Sequence, residues 1–529
     1  MRRKCVFLSL IVLALLPSAW VAWTWREMPH LGIYHDDSLY WVAAKSLAAG
    51  EGYRIESLPE QPYQTKYPPL YPLLLSLVWK IAPQFPANLS LAMLVSWLLL
   101  PVYVAAAWLF YRRSGIGPNE ALWLCALLAL NPLVATLSVM LMSELLFGSI
   151  LLATMVVAER ASRRQQPAWL ALAAGLLGAL AFLTRSAALP LLVSAPLCFL
   201  LRKHYRGGVL FLAGMLPAVV GWLVWSAAHT SSASDWVTLY YTSYLKFHLE
   251  NVPLAEMPSL VWKNAGALIY GLSDLLIFGN TVNFWTAQLS RLVAAAGVAG
   301  SIRLAWRKEM LFYPAFSVLF LIQALLWHYP PHDRFVVPVL PLLLAGFWTE
   351  MKHLAGVVRV AFARPKLAER VVAGFVTAVL CTLAVFAVYR TWHGLASFLP
   401  GVLEHHRRTL AANRQAFAWL AANSTVQSRV FAYGDPLVYL YTGRRACSLR
   451  IPPRLLYKGD RRGIEGFVER LPQFVRDFRL DYVLFTMGDF QLDSPEIGFA
   501  ALRRVLREHP GFELSYQGRE AAVYRIVRN

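Results

Sequence analysis

Tyr34-His35-Asp36-Asp37-Ser38-Leu39-Tyr40 sets two neighbouring carboxylates just beyond the first apolar run of a chain built mostly from such runs. Acidic pairs at the edge of an apolar segment are usually solvated loop residues. Here the sequel is denser than an ordinary loop. Ala43, Ala44, Leu47 and Ala48 read as a short helix, Gly50-Glu51-Gly52-Tyr53 follows as punctuation, and Lys66-Tyr67-Pro68-Pro69-Leu70-Tyr71-Pro72 opens a second short apolar segment.

Composition fixes the class. With 529 residues, 57% hydrophobic and 15% charged, and a mean hydropathy of +0.47, the chain carries more apolar surface than a soluble core needs and reads as a multi-span membrane protein. A formal charge of +20 would suit a nucleic-acid binder. The basic residues instead sit in short clusters between apolar runs, the pattern of cytoplasmic loops, so nucleic acid is not among the expected partners. Cys5, Cys125, Cys198 and Cys381 lie in or beside apolar runs, leaving Cys447 alone in the polar C-terminal part, which therefore folds without an internal disulfide.

Met1-Arg2-Arg3-Lys4 precedes an apolar run from Val6 to Trp25 that is about 20 residues long, enough to span, and ends in Trp20, Trp23 and Trp25 rather than a cleavage site. It is expected to be a retained first helix with a cytoplasmic N-terminus. Following Lys and Arg along the chain gives about eleven transmembrane helices. They include Leu89 to Phe110, Ala121 to Leu141, Leu145 to Ala158, Val209 to Ala228, Phe284 to Trp306, Phe335 to Trp348 and Val371 to Tyr389, with Lys352 to Arg370 as a cytoplasmic loop. Pro68 to Ile81 and Ala265 to Phe278 are short and read as juxtamembrane helices. The expected division is a membrane domain over 1–391, with a first external loop over 26–88, and an extracytoplasmic α/β domain over 392–529. In the latter, Arg429 to Tyr433, Asp481 to Phe485, Phe512 to Tyr516 and Ala522 to Val527 have the look of strands.

The pattern D-D-x-x-Y over Asp36 to Tyr40, then G-x-G-Y and K-Y-P-P-L, resembles the first external loop of the GT-C glycosyltransferases that use a polyprenyl-phosphate sugar as donor. The bacterial aminoarabinose transferases and protein O-mannosyltransferases are the most similar. The resemblance implies an inverting transferase in a bacterial inner membrane. It implies Asp36, at the first acidic position, as base with Asp37 as the runner-up, although relatives more often carry Asp-Glu there, and Glu144 as the second acidic position. His332-Asp333-Arg334-Phe335 resembles an R-Y-x-x-P-x-x-P element with Phe335 in place of Tyr. Lys66, Arg334 and Arg185 become the donor-phosphate candidates, and Tyr40, Tyr67 and His332 the substrate-binding ones. Partners would be the lipid-linked donor, membrane lipids and a glycan, lipid or protein acceptor.

Other readings of the same residues stay open here. Glu144 also fits a helix N-terminal carboxylate with Ser143 as cap, Lys66 a snorkelling lysine, and Arg185 an interfacial anchor. His35, His328 and His332 lie on the same side as the carboxylates, but no tight ligand spacing supports a metal, so no metal ligand and no cofactor is assigned, with a divalent ion used by some relatives. A transporter or lipid flippase would also have many spans; it should carry charges near the midplane, where Arg291 is the one exception to largely uncharged middles.

Overall fold

The structure, a computed structural model, describes residues 2–163, 165–230, 235–279, 284–306, 310–363, 367–490 and 495–528. Helices dominate. They are α1 (Arg2–Thr24), α2 (Asp36–Ala49), α3 (Leu70–Ile81), α4 (Leu89–Arg113), α5 (Pro118–Leu130), α6 (Pro132–Ser138), α7 (Glu144–Ala161), α8 (Trp169–Thr184), α9 (Leu191–Leu201) and α10 (Tyr205–His229). There follow α11 (Trp236–Thr242), α12 (Leu245–Asn251), α13 (Met257–Leu276), α14 (Phe284–Trp306), α15 (Phe312–Leu325), α16 (Leu340–Ala363), α17 (Leu367–His393) and α18 (Leu399–Asn423).

Among the described residues four helical runs are long and apolar enough to cross a membrane, those of 89–113, 205–229, 334–362 and 368–423, and the bent pair α5 and α6 makes a fifth. Shorter apolar helices, α3, α8 and α15 among them, pack alongside. Where helices touch, small residues let their backbones approach. A side chain at Gly175 of α8 would collide with the Phe211 carbonyl of α10, and Gly300 of α14 meets the backbone of Gly346 in α16.

Two sequence expectations need correction. The single span Ala121 to Leu141 is broken: α5 and α6 meet at 63°, because Pro132 cannot continue the ladder and Asn131 Oδ1 accepts from the Leu133 and Val134 N–H groups to restart it. The stretch expected to loop after Trp348 stays helical to Ala363, since its Lys and Arg residues are good helix formers and no Gly-Pro break intervenes. Further on, α17 runs through a π turn at Gly394–Phe398 into α18, so one helical rod passes from the bundle to the polar domain.

The C-terminal part is a five-stranded sheet, β1 (Arg429–Phe431), β2 (Arg445–Cys447), β3 (Tyr482–Thr486), β4 (Phe512–Gln517) and β5 (Ala521–Ile526), in the order β2-β1-β3-β5-β4. The first three spatial neighbours are parallel, while β3-β5-β4 is antiparallel, the β4–β5 hairpin turning at Gly518. The strand β2 was not expected. It has three residues, two of them Arg445 and Cys447, and no alternation to betray it. A short helix α19 (Asp435–Thr442) joins β1 to β2 and ends at Gly443, whose φ of +75° suits glycine. This domain sits on the loop between α2 and α3: Ala446 N–H donates to the Ser57 carbonyl at 2.8 Å, and Lys45 of α2 donates to the Tyr439 hydroxyl at 2.9 Å.

Candidate active site

The helix α2 opens at Asp36, so both carboxylates lie in a first turn where the helix dipole favours negative charge. The residue ahead of it, His35, has φ +61°, a left-handed conformation uncommon for a non-glycine residue. It lets the chain turn sharply into the helix, where the step of about 100° between successive residues points the two carboxylates in different directions.

Asp37 turns back on its own chain. Its two oxygens accept from the Gly32 and Ser38 backbone N–H groups, each at 2.8 Å, and the side chain is fully buried. Burial pushes its carboxyl up to about 7 despite those two donors, with Asp36 adding to the rise.

Asp36 turns outward to meet residues brought from far along the chain. Its Oδ1 accepts from the Tyr67 hydroxyl at 2.5 Å, and its Oδ2 from Arg334 Nη2 at 2.6 Å. Burial alone would raise this carboxyl, but the charges of Arg334 and Lys66 and the Tyr67 hydrogen bond outweigh it and hold the group down to about 2.

Arg334 comes from the tight turn Asp333–Val339 that leads into α16. Its other nitrogen lies 3.5 Å from Glu144, and its guanidinium faces the rings of Tyr34 and Phe335. Glu144, the first residue of α7, pairs with Arg185 Nη1 at 2.7 Å, and Arg185 also donates to Ser143 Oγ at 3.0 Å. Glu144 does stand in the first turn of α7 as a helix N-terminal carboxylate, but Ser143, the residue before it, makes no capping hydrogen bond. Its hydroxyl is occupied by Arg185 and, at 3.4 Å, by Tyr40.

Lys66 occupies an aromatic cage. Its Nζ donates to the Tyr240 carbonyl at 2.9 Å and lies 4.5–5.3 Å from the ring centres of Tyr67, Tyr240 and Tyr244. Burial brings its ammonium down to about 8 against the attraction of Asp36, with Arg450 and Arg334 adding to the depression. A snorkelling side chain would reach for solvent. This one is buried.

Of the expected site residues, Asp36, Lys66, Tyr67, Glu144, Arg185 and Arg334 thus form one connected cluster. Tyr40 stacks edge-on against Tyr67 at its border. His332 has its ring 6.3 Å from that of Tyr270 and its backbone against Gly271 of α13. Among the described residues no three His, Cys, Asp or Glu side chains gather as a metal site would require.

Comparison with known proteins follows the same lines. Residues 66–230 match the family model of dolichyl-phosphate-mannose-protein mannosyltransferases. No curated protein matches the sequence. The fold superposes on that of ArnT from Cupriavidus metallidurans bound to undecaprenyl phosphate, with TM-score 0.52 and 14% identity over 99% of this chain and 98% of the other. It also matches the archaeal oligosaccharyltransferase AglB from Archaeoglobus fulgidus in complex with an inhibitory peptide and a dolichol-phosphate, with TM-score 0.54 and 12% identity over 92% and 70%. This chain has the GT-C glycosyltransferase fold.

A GT-C reading of the first loop alone misses part of the site. His35 is buried and its Nε2 lies 3.1 Å from Asp435, the first residue of α19, which also accepts from the Tyr241 hydroxyl at 2.6 Å. Burial, then Arg450, lowers the imidazole pKa in spite of that carboxylate. The polar domain therefore reaches the residue next to Asp36. The sequence signal was Gly434-Asp435-Pro436, which reads equally well as an ordinary strand-ending turn.

Proposed function

We propose that the chain is an inverting membrane glycosyltransferase that takes a sugar from a polyprenyl-phosphate donor and passes it to an acceptor at the extracytoplasmic face. In this reading residues 1–391 are the membrane domain with about eleven spans and a cytoplasmic N-terminus, and 392–529 the extracytoplasmic domain, in a bacterial inner membrane. The observation that carries it is the Asp36 carboxylate held by Arg334 and Tyr67 beside the caged Lys66. A base for the acceptor and cations for the departing phosphate thereby share one place.

The charge balance supports a phosphate ligand. Arg334, Arg185 and Lys66 face Asp36 and Glu144, three cations against two carboxylates. A phosphate entering this cluster competes for Arg334 and Lys66. A carboxyl held near 2 is a feeble base. As the donor phosphate draws Arg334 away, Asp36 loses the partner that depresses it, and its proton affinity rises where the acceptor arrives.

The acceptor oxygen or nitrogen then attacks the anomeric carbon from the face opposite the phosphate. The bond from that carbon to the phosphate oxygen breaks, the pair of electrons leaves with the lipid phosphate, and the acceptor proton passes to Asp36. Glu144 and Arg185 brace Arg334. Asp37 holds the turn rather than the proton.

The test is release of polyprenyl phosphate from a panel of lipid-linked sugars by detergent-purified protein, with Asp36→Asn as the variant. Donor-dependent release that disappears in Asp36→Asn, with the variant still inserted and melting normally, is the expected result. Undiminished release would remove Asp36 from the role.

A further inference from the structure

Arg334 reaches the charged cluster from a short connection that leaves α15 at Leu325 and enters the tight turn at Asp333. One helix, α13, fastens that connection at two points. Near its beginning, Asn264 Nδ2 donates to the Leu325 carbonyl at 2.9 Å and to the Trp327 carbonyl at 2.7 Å. These carbonyls lie at and just past the end of α15, where the helix offers no partner, and Asn264 is buried beside them. Near its far end the connection lies directly on Gly271, where an added Cβ would stand 2.9 Å from both His332 Cα and the Pro331 carbonyl oxygen. Glycine alone permits that approach of main chain to main chain. Asn264 and Gly271 are two turns apart on one face of α13, and between the two fastenings Pro330 and Pro331 restrict the backbone.

The helix is the firmer of the two partners. Just ahead of it, Glu256 accepts from Arg454 at 2.5 Å and from Tyr457 and Lys458 at 2.7 Å each, all on α20 (Pro453–Lys458) of the polar domain. Just past it, Arg390 of α17 donates to the Phe278 and Gly279 carbonyls at 2.8 and 2.5 Å. Held at both ends, α13 passes any crowding at Gly271 to the connection. There the His332 carbonyl accepts from the Phe335 N–H at 3.1 Å, so His332 belongs to the turn that carries Arg334. The guanidinium works at short range, 2.6 Å from Asp36 and 3.5 Å from Glu144, and a displacement of about 1 Å is enough to spoil such a geometry.

We propose that α13 is the positioning element for Arg334, with Gly271 and Asn264 as its positioning residues. It sets the guanidinium where one side chain serves both Asp36 and the donor phosphate. The phosphate half of this rests on the glycosyltransferase reading above; the Asp36 half does not.

The experiment is two double-variant cycles on the full chain in detergent, each built from wild type, Gly271→Ala, Arg334→Ala and the variant carrying both. The first reads the apparent Kd of undecaprenyl phosphate, by melting titration, and the donor KM and kcat for release. Gly271→Ala is expected to weaken binding and raise KM about tenfold, with a smaller change in kcat, and to add less than about twofold once Arg334 is Ala. Gly266→Ala lies on the same helix where an added Cβ meets nothing within 4 Å among the described residues, and should match wild type. Should Gly271→Ala melt early, Asn264→Ala cuts the other fastening without a clash and enters the same cycle.

The second cycle reads melting temperature without lipid. The loss caused by Arg334→Ala is expected to shrink by about half or more when Gly271 is already Ala, because the pair with Asp36 is then already loosened. Losses that simply add in both cycles, an equal loss in Gly266→Ala, or binding unchanged in both Gly271→Ala and Asn264→Ala overturn the proposal. Release by wild type with additive cycles sinks the positioning role and leaves the transferase reading standing. Coupled melting with neither binding nor release in wild type does the reverse.

Discussion

Two regions meet at the first turn of α2, and they are built differently. On the Asp36 side, charged groups from four distant segments pair directly, with Arg334 and Asp36 separated by 298 positions in the chain. On the His35 side the contacts come from segments that follow very short strands, through Asp435 and Arg450, and from Tyr241 of α11. The first region has an excess of cations and suits an anionic donor; the second is a buried network of His35, Asp435, Tyr241 and Arg450 in which one carboxylate is shared. One helix start thus joins two differently built regions, His35 facing the polar domain and Asp36 the charged cluster.

The largest expected effect breaks the first region at its centre. Asp36→Asn removes the proton acceptor while keeping the shape, and kcat for transfer should fall by about 10²–10⁴. A quantitative release assay checks it, and a loss of threefold or less would move the base elsewhere. Next comes Arg334→Ala. It leaves Asp36 without its charged partner in a largely buried place and should cost about 3 kcal/mol of stability, seen as a lower melting temperature, together with a loss of donor affinity of one to two orders of magnitude. Arg334→Lys should recover more of the stability than of the affinity, since an ammonium keeps the charge but cannot bridge Asp36 and Glu144.

Much of the first region is legible in the sequence, and little of the second. Asp36, Lys66, Glu144, Arg185 and Arg334 stand out because each is a charge at the edge of an apolar run, where polar residues are few and their cost is high. Asp435 and Arg450 sit among Arg429, Arg444, Arg445 and Arg454, in a domain where charges are common. Their burial depends on the tertiary fit of short loops, and no periodicity reports that. The same holds within the bundle: Phe284 to Trp306 reads correctly as one helix because nothing interrupts it, whereas the break at Asn131-Pro132 carries a visible signal whose angle only packing decides.

The link between the regions is sharpened by Asp435→Asn. The amide still accepts from Tyr241 but no longer offers charge to His35 and Arg450, and transfer should fall about tenfold through kcat, as expected of a lost charge-assisted hydrogen bond of about 1.5 kcal/mol. Since Asp435 touches His35 and Tyr241 rather than Lys66 or Arg334, the variant should leave donor affinity unchanged; a matching loss of donor affinity would place it in the phosphate site instead. A smaller effect follows from pH. The Lys66 ammonium, depressed to about 8, is charged below that value and neutral above it, so the apparent KM for donor should climb severalfold as pH passes from 7 to 9. Lys66→Arg, charged throughout, should flatten the profile.

Asp37 gives the smallest effect on transfer and the cleanest contrast with its neighbour. It touches backbone N–H groups alone among the hydrogen bonds it makes, so Asp37→Asn should keep activity within about threefold while Asp36→Asn abolishes it. Its signature lies in stability. A carboxyl raised to about 7 in the folded chain, against about 3.8 in the open one, binds its proton more tightly when folded. Between pH 4 and 7 the unfolded chain therefore holds fewer protons at this position, and folding stability declines as pH rises through that window, levelling off above it. Asn has no proton to lose, so the difference in melting temperature between wild type and Asp37→Asn should shift in favour of the variant from pH 5 to pH 8. A pH-independent difference would mean that the Gly32 and Ser38 donors keep the carboxylate ionised throughout, and an activity loss as deep as that of Asp36→Asn would mean that the turn, rather than the outward carboxylate, is what transfer cannot do without.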